Sequence, residues 1–236
     1  AMYASGTGPT IQSEQFYLTG NYAGGIQGVN FLGPIEIGVP PTPDPYQLLK
    51  EPDKTTLPQQ SLQTATIINE GAGVRTYILE PGVYKNGLSF SGKDSVIMKP
   101  GIYYMDGGGF SFEGMGSLTA LEVMVFNAGR TGSDVIKIAG QGAVTWTPPS
   151  TGTYKGMTMF QARSNTSPLS ISGQGAMNIS GVLYAANAMV DVSGNGNNTI
   201  GNQVVCWQCN FQGNGNFLVP WNPLNVPPVR DMRLVE

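Results

Sequence analysis

The chain has 236 residues, a net charge of −3 and only 11% charged residues, with 33 Gly and no His. The charged fraction lies far below the roughly 25% of ordinary globular domains, and there is no basic footprint for nucleic acid. No apolar run of about eighteen residues could span a membrane, and the lack of His removes the commonest general base and metal ligand.

The opening Ala-Met-Tyr-Ala-Ser-Gly-Thr-Gly carries no signal peptide. The chain is therefore expected to be an ectodomain piece whose targeting segment lies outside it, so that membrane attachment runs only through that segment. Phe16-Tyr-Leu18-Thr-Gly20 is a first apolar-polar-apolar-polar-Gly unit, and residues 11–33 are expected to form a first coil segment that leads into the later coils. Residues 34–60 hold seven Pro, at 34, 40, 41, 43, 45, 52 and 58. Too many backbone donors are missing for a central strand, so this segment reads as an excursion along the outside. Within it, Asp44-Pro45 sets a cap and first position for one helical turn over 46–50.

Regular coils are expected over about 64–219. Tyr77-Ile-Leu79-Glu-Pro81-Gly82 matches Val96-Ile-Met98-Lys-Pro100-Gly101 at a spacing of nineteen. Both Pro-Gly pairs suit the centre of a type II turn. Apolar-polar-apolar-polar-Gly then recurs, ending at Gly92, Gly114, Gly140, Gly173, Gly194 and Gly213. Alternation at period two marks strands with one buried face, and glycine marks the corners. Recurrence at about nineteen to thirty-three residues points to a solenoid. Val123-Met-Val125, Met157-Thr-Met159 and Val182-Leu-Tyr184 supply the third strand of a coil. The expectation is one all-β domain over 1–236: a single-stranded, right-handed parallel β-helix with a Pro-rich side loop. Seven or eight rungs stack to roughly 35 Å. The tail 220–236 is expected to cross the last rung and cover its open edge.

Three groups of residues invite chemistry. Cys206-Trp-Gln-Cys209 has the spacing of a redox pair or half a zinc site. No helix opens there and no further Cys or His completes a metal set, so simple burial and a corner disulfide stand beside the chemical reading. Asp94, Asp106 and Glu113 fall on neighbouring coils, with Lys93 alongside. Polysaccharide hydrolysis needs two carboxylates about 5–9.5 Å apart, and a lyase needs a base and commonly clustered acids for Ca²⁺. Short acids at corners equally serve local hydrogen bonding. Tyr103, Tyr104, Trp146, Tyr154, Trp207 and Trp221 are either core residues or a glycan-stacking strip. No cofactor and no metal site is implied.

Asp44-Pro-Tyr-Gln-Leu-Leu-Lys-Glu-Pro52, Leu79-Glu-Pro-Gly-Val-Tyr84, Pro100-Gly-Ile-Tyr103, Gly107-Gly-Gly, Gly181-Val-Leu-Tyr-Ala185 and Phe211-Gln-Gly-Asn-Gly215 occur in this order. In this the chain resembles the C-terminal β-solenoid region of bacterial TadG-like proteins over most of 16–219. The resemblance implies a membrane-anchored protein that projects from the cell with tight-adherence (Flp) pilus machinery. It implies an extracytoplasmic place, at the cell surface or in the periplasm, and partners among pilus or cell-envelope proteins or surface glycans. It brings no catalytic residues. The expected role is a non-catalytic module in adhesion or pilus assembly. The alternatives are a polysaccharide lyase or hydrolase and a glycan-binding module.

Overall fold

The computed structural model describes residues 3–5, 10–12, 15–19, 30–173, 175–194, 197–212 and 216–228. Its regular structure is 24 strands and three short 3-10 turns, wound as a parallel β-solenoid of about eight turns. Three faces enclose one lumen, and each face takes its character from what its outward residues are.

The corner-glycine face stacks Leu88–Gly92, Phe110–Gly114, Ile136–Gly140 and Leu169–Gly173, then 190–194 and 208–212. Alternation sends one set of side chains inward. Phe90, Phe112, Ile138, Ile171, Val192 and Phe211 are successive register partners and form one column against the core. The corner glycines are in register too. A Cβ on Gly114 would sit 2.6 Å from the Gly92 carbonyl oxygen, on Gly173 2.6 Å from that of Gly140, and on Gly194 2.5 Å from that of Gly173. Gly114 and Gly173 need no positive φ. Close rung-to-rung approach, rather than turn conformation, is the shared reason for glycine here. Two expected corners, Gly20 and Gly213, lie outside the described residues.

The plain face stacks Val74–Leu79, Ser95–Met98, Leu118–Ala120, Val144–Trp146, Met177–Ile179, Asn197–Ile200 and Asn216–Leu218. Leu79, Met98, Ala120, Trp146, Ile179 and Ile200 point inward and are buried. Ile97, Thr119, Thr145, Asn178 and Thr199 form the matching outward column. At the first rung Thr66–Gly71 adds an antiparallel edge strand, exposed at every residue. Leu62 and Ala65, just before it, pack against the end of the core.

The third face carries Gly82–Lys85, Gly101–Asp106, Val123–Asn127 and Met157–Gln161, then 182–185 and 203–206. Val123–Asn127 and Met157–Gln161 are buried at every residue, because this face is covered on both sides. Tyr103, Val125, Met159 and Leu183 line the lumen. Tyr104, Phe126, Phe160 and Tyr184 point the other way and make an outer aromatic ladder, with ring centroids 4.9, 5.2 and 5.0 Å apart. Offset and edge-to-face rings at such distances add to the area they bury. Gly82 and Gly101 open strands of this face at φ 150° and 140°, so they are not the central residues of type II turns. A Cβ on Gly82 would meet Gln60 Cγ at 2.6 Å and the Pro58 carbonyl. A Cβ on Gly101 would meet Pro81 Cβ at 2.6 Å.

The Pro-rich excursion is the cover. Its ends are strands: Ile35–Ile37 pairs in parallel with Phe16–Leu18, and Gln59–Gln60 joins the edge of Gly82–Lys85. Residues 38–58 between them form a strap along the outer ladder. The strap meets the late rungs at Tyr46 and the early rungs at Lys54, so it runs against the direction in which the coils accumulate. The helical turn expected over 46–50 is instead a turn in which Asp44 Oδ1 accepts from the Tyr46 amide at 2.9 Å and the Tyr46 carbonyl from the Leu49 amide at 2.9 Å.

The N-terminal segment adds a pairing that the sequence reading did not include. Tyr3–Ser5 pairs in parallel with 210–212 and extends the corner-glycine face beyond the last rung, not before the first. Thr10–Gln12 pairs with Asn30–Leu32. Part of the edge assigned by sequence to the tail, at 210–212, is thus covered by Tyr3–Ser5. The described part of the tail turns back over the flank instead: Asn202 Nδ2 donates to the Asn222 and Asn225 carbonyls at 2.9 and 3.1 Å, and Val226 packs on the outer cluster.

Candidate functional site

The three acids singled out by sequence each meet their own cation. Asp94, buried at a corner, accepts from Arg75 Nε at 3.1 Å and Nη2 at 2.8 Å, a two-pronged pair. Asp106 ends a strand of the strapped face. It lies between Arg130 at 2.6 Å and Lys54 of the strap at 3.2 Å. Burial raises its pKa, but the hydrogen bonds and charges of Arg130 and Lys54 outweigh burial and hold the carboxyl below its usual range. Glu113 lies on the outer side of the corner-glycine face. Hydrogen bonds from Lys137 and Ser111 lower its pKa, with Lys137 at 2.5 Å and Ser111 at 2.8 Å. A general acid at neutral pH needs the opposite shift. Among the described residues no three His, Cys, Asp or Glu side chains gather as a metal site.

The densest polar cluster is one the sequence did not single out. Arg163 follows a strand of the strapped face, and its guanidinium donates to the Tyr46 and Leu49 carbonyls of the strap. It lies 5.3 Å from the Tyr184 ring and 5.6 Å from that of Phe160, and its backbone N–H donates to Glu51 at 2.9 Å. Tyr184 Oη donates to Asp44 Oδ2 at 2.7 Å, and Tyr46 Oη to Gln203 Oε1 at 2.6 Å. Burial, then the Asp44 charge, pushes the Tyr46 hydroxyl up to about 12. Burial and the Asp44 hydrogen bond raise that of Tyr184 as well. All these groups tie strap to ladder. One signal was available in sequence: Arg163 is among only five charged residues between Thr131 and Pro220.

Two buried amides serve the loops at the next corner. Asn127 and Gln161 are register partners. Asn127 Nδ2 donates to the Asp134 carbonyl at 2.7 Å, and Gln161 Nε2 to the Ser167 carbonyl at 2.5 Å. They hold the 128–135 and 163–168 loops, whose lengths make the coil period irregular.

Cys206 and Cys209 are joined in a disulfide, so neither is a free buried thiol or a zinc ligand in this state. The aromatic candidates divide. Tyr103 and Trp146 are fully buried, and the indole of Trp146 donates to the Val123 carbonyl at 3.0 Å. Tyr104 and Tyr154 pack with the cluster beneath the strap. Trp207 and Trp221 are exposed, at 80% and 60%.

A shallow cleft of about 320 Å³ lies where strap and tail approach, lined by Pro45, Tyr46, Leu48, Leu49, Lys50 and Pro228 with Thr153. It is mostly apolar and holds one cation and no carboxylate. No helix among the described residues is long and apolar enough to cross a membrane. No family model, curated protein or solved structure matches the chain.

Proposed function

We propose that the chain is a rigid, non-catalytic module that stands at the surface of a bacterial cell and serves adhesion or pilus assembly. The observation that carries this reading is the strap. A segment of the chain runs along the solenoid, seals an aromatic face and is clamped by Arg163 and two tyrosine hydroxyls. Such reinforcement suits an element that transmits position or load. The disulfide supports an extracytoplasmic place, since structural disulfides persist in oxidising compartments. The pairing of each candidate acid with its own cation supports a structural use of those acids. The resemblance to TadG-like proteins supplies the pilus context.

The test is deletion of the region in cells that carry it, read by surface attachment and pilus assembly, beside product analysis with uronate and neutral polysaccharides. Loss of attachment without turnover is expected. Turnover that vanishes in Asp94→Asn would overturn the reading in favour of a polysaccharide-active enzyme.

A further inference from the structure

We propose that the disulfide-bridged corner at Cys206–Cys209 is a carbohydrate contact point, with Trp207 as the stacking surface for a pyranose ring. This rests on the adhesion reading and names its partner class.

The corner is built differently from the one beneath it. Ala185 pairs with Cys206 and Met189 with Gln208, with a break in register between them. The lower rung rounds this corner with Ala186, Asn187 and Ala188, whereas the upper rung has Trp207 alone. A corner two residues shorter has little slack, and the disulfide spans it, from Cys206 at one end to Cys209 just past Gln208 at the other. Trp207 therefore stands at the tip, 80% exposed, on backbone that the bridge holds. An exposed Trp has an apolar surface that gains by being covered.

Three features select a sugar. The face of the indole is electron-rich and attracts the positive C–H edges that a pyranose presents. Amides are its neighbours in sequence and on the corner beneath: Gln208 follows it and is exposed, and Asn187 of the lower corner is fixed by donating to the Arg163 carbonyl at 2.7 Å. Asn210 donates to Asp191 at 2.9 Å. Amides offer both donors and acceptors to sugar hydroxyls. The corner itself carries no charged residue between Gln203 and Gln212, which favours neutral hexoses over uronates. Holding the aromatic in place before binding reduces the ordering cost of association.

The test uses the whole chain and its intrinsic fluorescence, since Trp146 is buried and silent to surface ligands while Trp207 is not. The protein is titrated with cellohexaose, mannohexaose and chitohexaose. A saturable blue shift with at least one of them is expected. Trp207→Ala should weaken that binding at least tenfold, Trp207→Phe should retain part of it, and Trp221→Ala should leave it unchanged. An unaltered melting temperature in each variant shows that the fold is intact. No saturable change with any of the three sugars overturns the inference, as does wild-type affinity in Trp207→Ala. Attachment assays separate the two proposals. If deletion of the region abolishes attachment but Trp207→Ala attaches normally, the glycan site falls and the adhesion reading stands. If Trp207→Ala loses attachment while no sugar binds, the corner meets a protein, and the glycan inference is again overturned.

Discussion

The plain face and the strapped face share one rung geometry and one lumen, yet one is open to solvent and the other is sealed. On the plain face the outward column runs Ile97, Thr119, Thr145, Asn178 and Thr199. On the strapped face it runs Tyr104, Phe126, Phe160 and Tyr184. The inward columns of the two faces are equally apolar. The outward residue of each rung therefore decides whether a solenoid face ends at water or needs a second layer. Parallel sheets are normally buried on both sides; here one face meets that rule by recruiting the chain's own Pro-rich segment, and the other escapes it with Thr and Asn.

The contrast can be broken most sharply at its centre. Phe160 lies fully buried in the outer ladder, between Phe126 and Tyr184. Phe160→Ala should cost about 3–5 kcal/mol in chemical denaturation, as for other large core truncations. A loss below about 1 kcal/mol would mean that the strap adds little. The corner column should come next. Gly194→Val drives a branched side chain toward the Gly173 carbonyl and should cost roughly 1–3 kcal/mol, read as a melting temperature lower by several degrees. A variant as stable as wild type would show that the rungs do not approach as closely as described.

Alkali should distinguish the faces without mutation. The Tyr46 hydroxyl has its folded pKa raised from 10.0 to about 12. Its contribution is complete below pH 10 and is lost as pH rises toward 12, because the unfolded chain ionises first. Stability should fall across that window, and strap cleavage by an added protease should rise with it. Tyr46→Phe should shallow the fall; an identical pH profile would remove Tyr46 from the clamp. The smallest effect is expected on the open side. Thr145→Ala, an exposed plain-face change, should alter stability by no more than about 0.5 kcal/mol. A larger loss would mean that this face, too, is covered.

The same contrast explains what could be read from the chain. Rungs ending at Gly92, Gly114, Gly140, Gly173 and Gly194 were legible because one side is wet, so alternation survives in the sequence. The strapped-face strands were faint because Val123–Asn127 and Met157–Gln161 are buried on both sides and alternation disappears. The strap was visible as a Pro-rich departure, but its anchors were not: Arg163 and Asp44 come together with Tyr184 only in space, Asp44 and Tyr184 being 140 residues apart. The docking of Tyr3–Ser5 on 210–212 was not legible for a related reason. Short apolar-polar repeats say that a segment can stack on a rung, and they carry no information about which open rung receives it. Of the chemical candidates, the acids were found but not their cations, and the pairing of Cys206 with Cys209 was one reading among several because spacing alone does not say whether two sulfurs meet.

That first strand also bears on how the molecule is made. Tyr3–Ser5 is synthesised about two hundred residues before 210–212, the segment it pairs with. Coils between them can zip locally as they emerge, each on its predecessor, whereas this contact has the longest loop to close and should form last. Until then the end of the growing solenoid presents an unpaired parallel edge, the kind of surface that recruits strands from other chains. The order of synthesis therefore leaves that rung most prone to aggregation between its own emergence and the docking of Tyr3–Ser5.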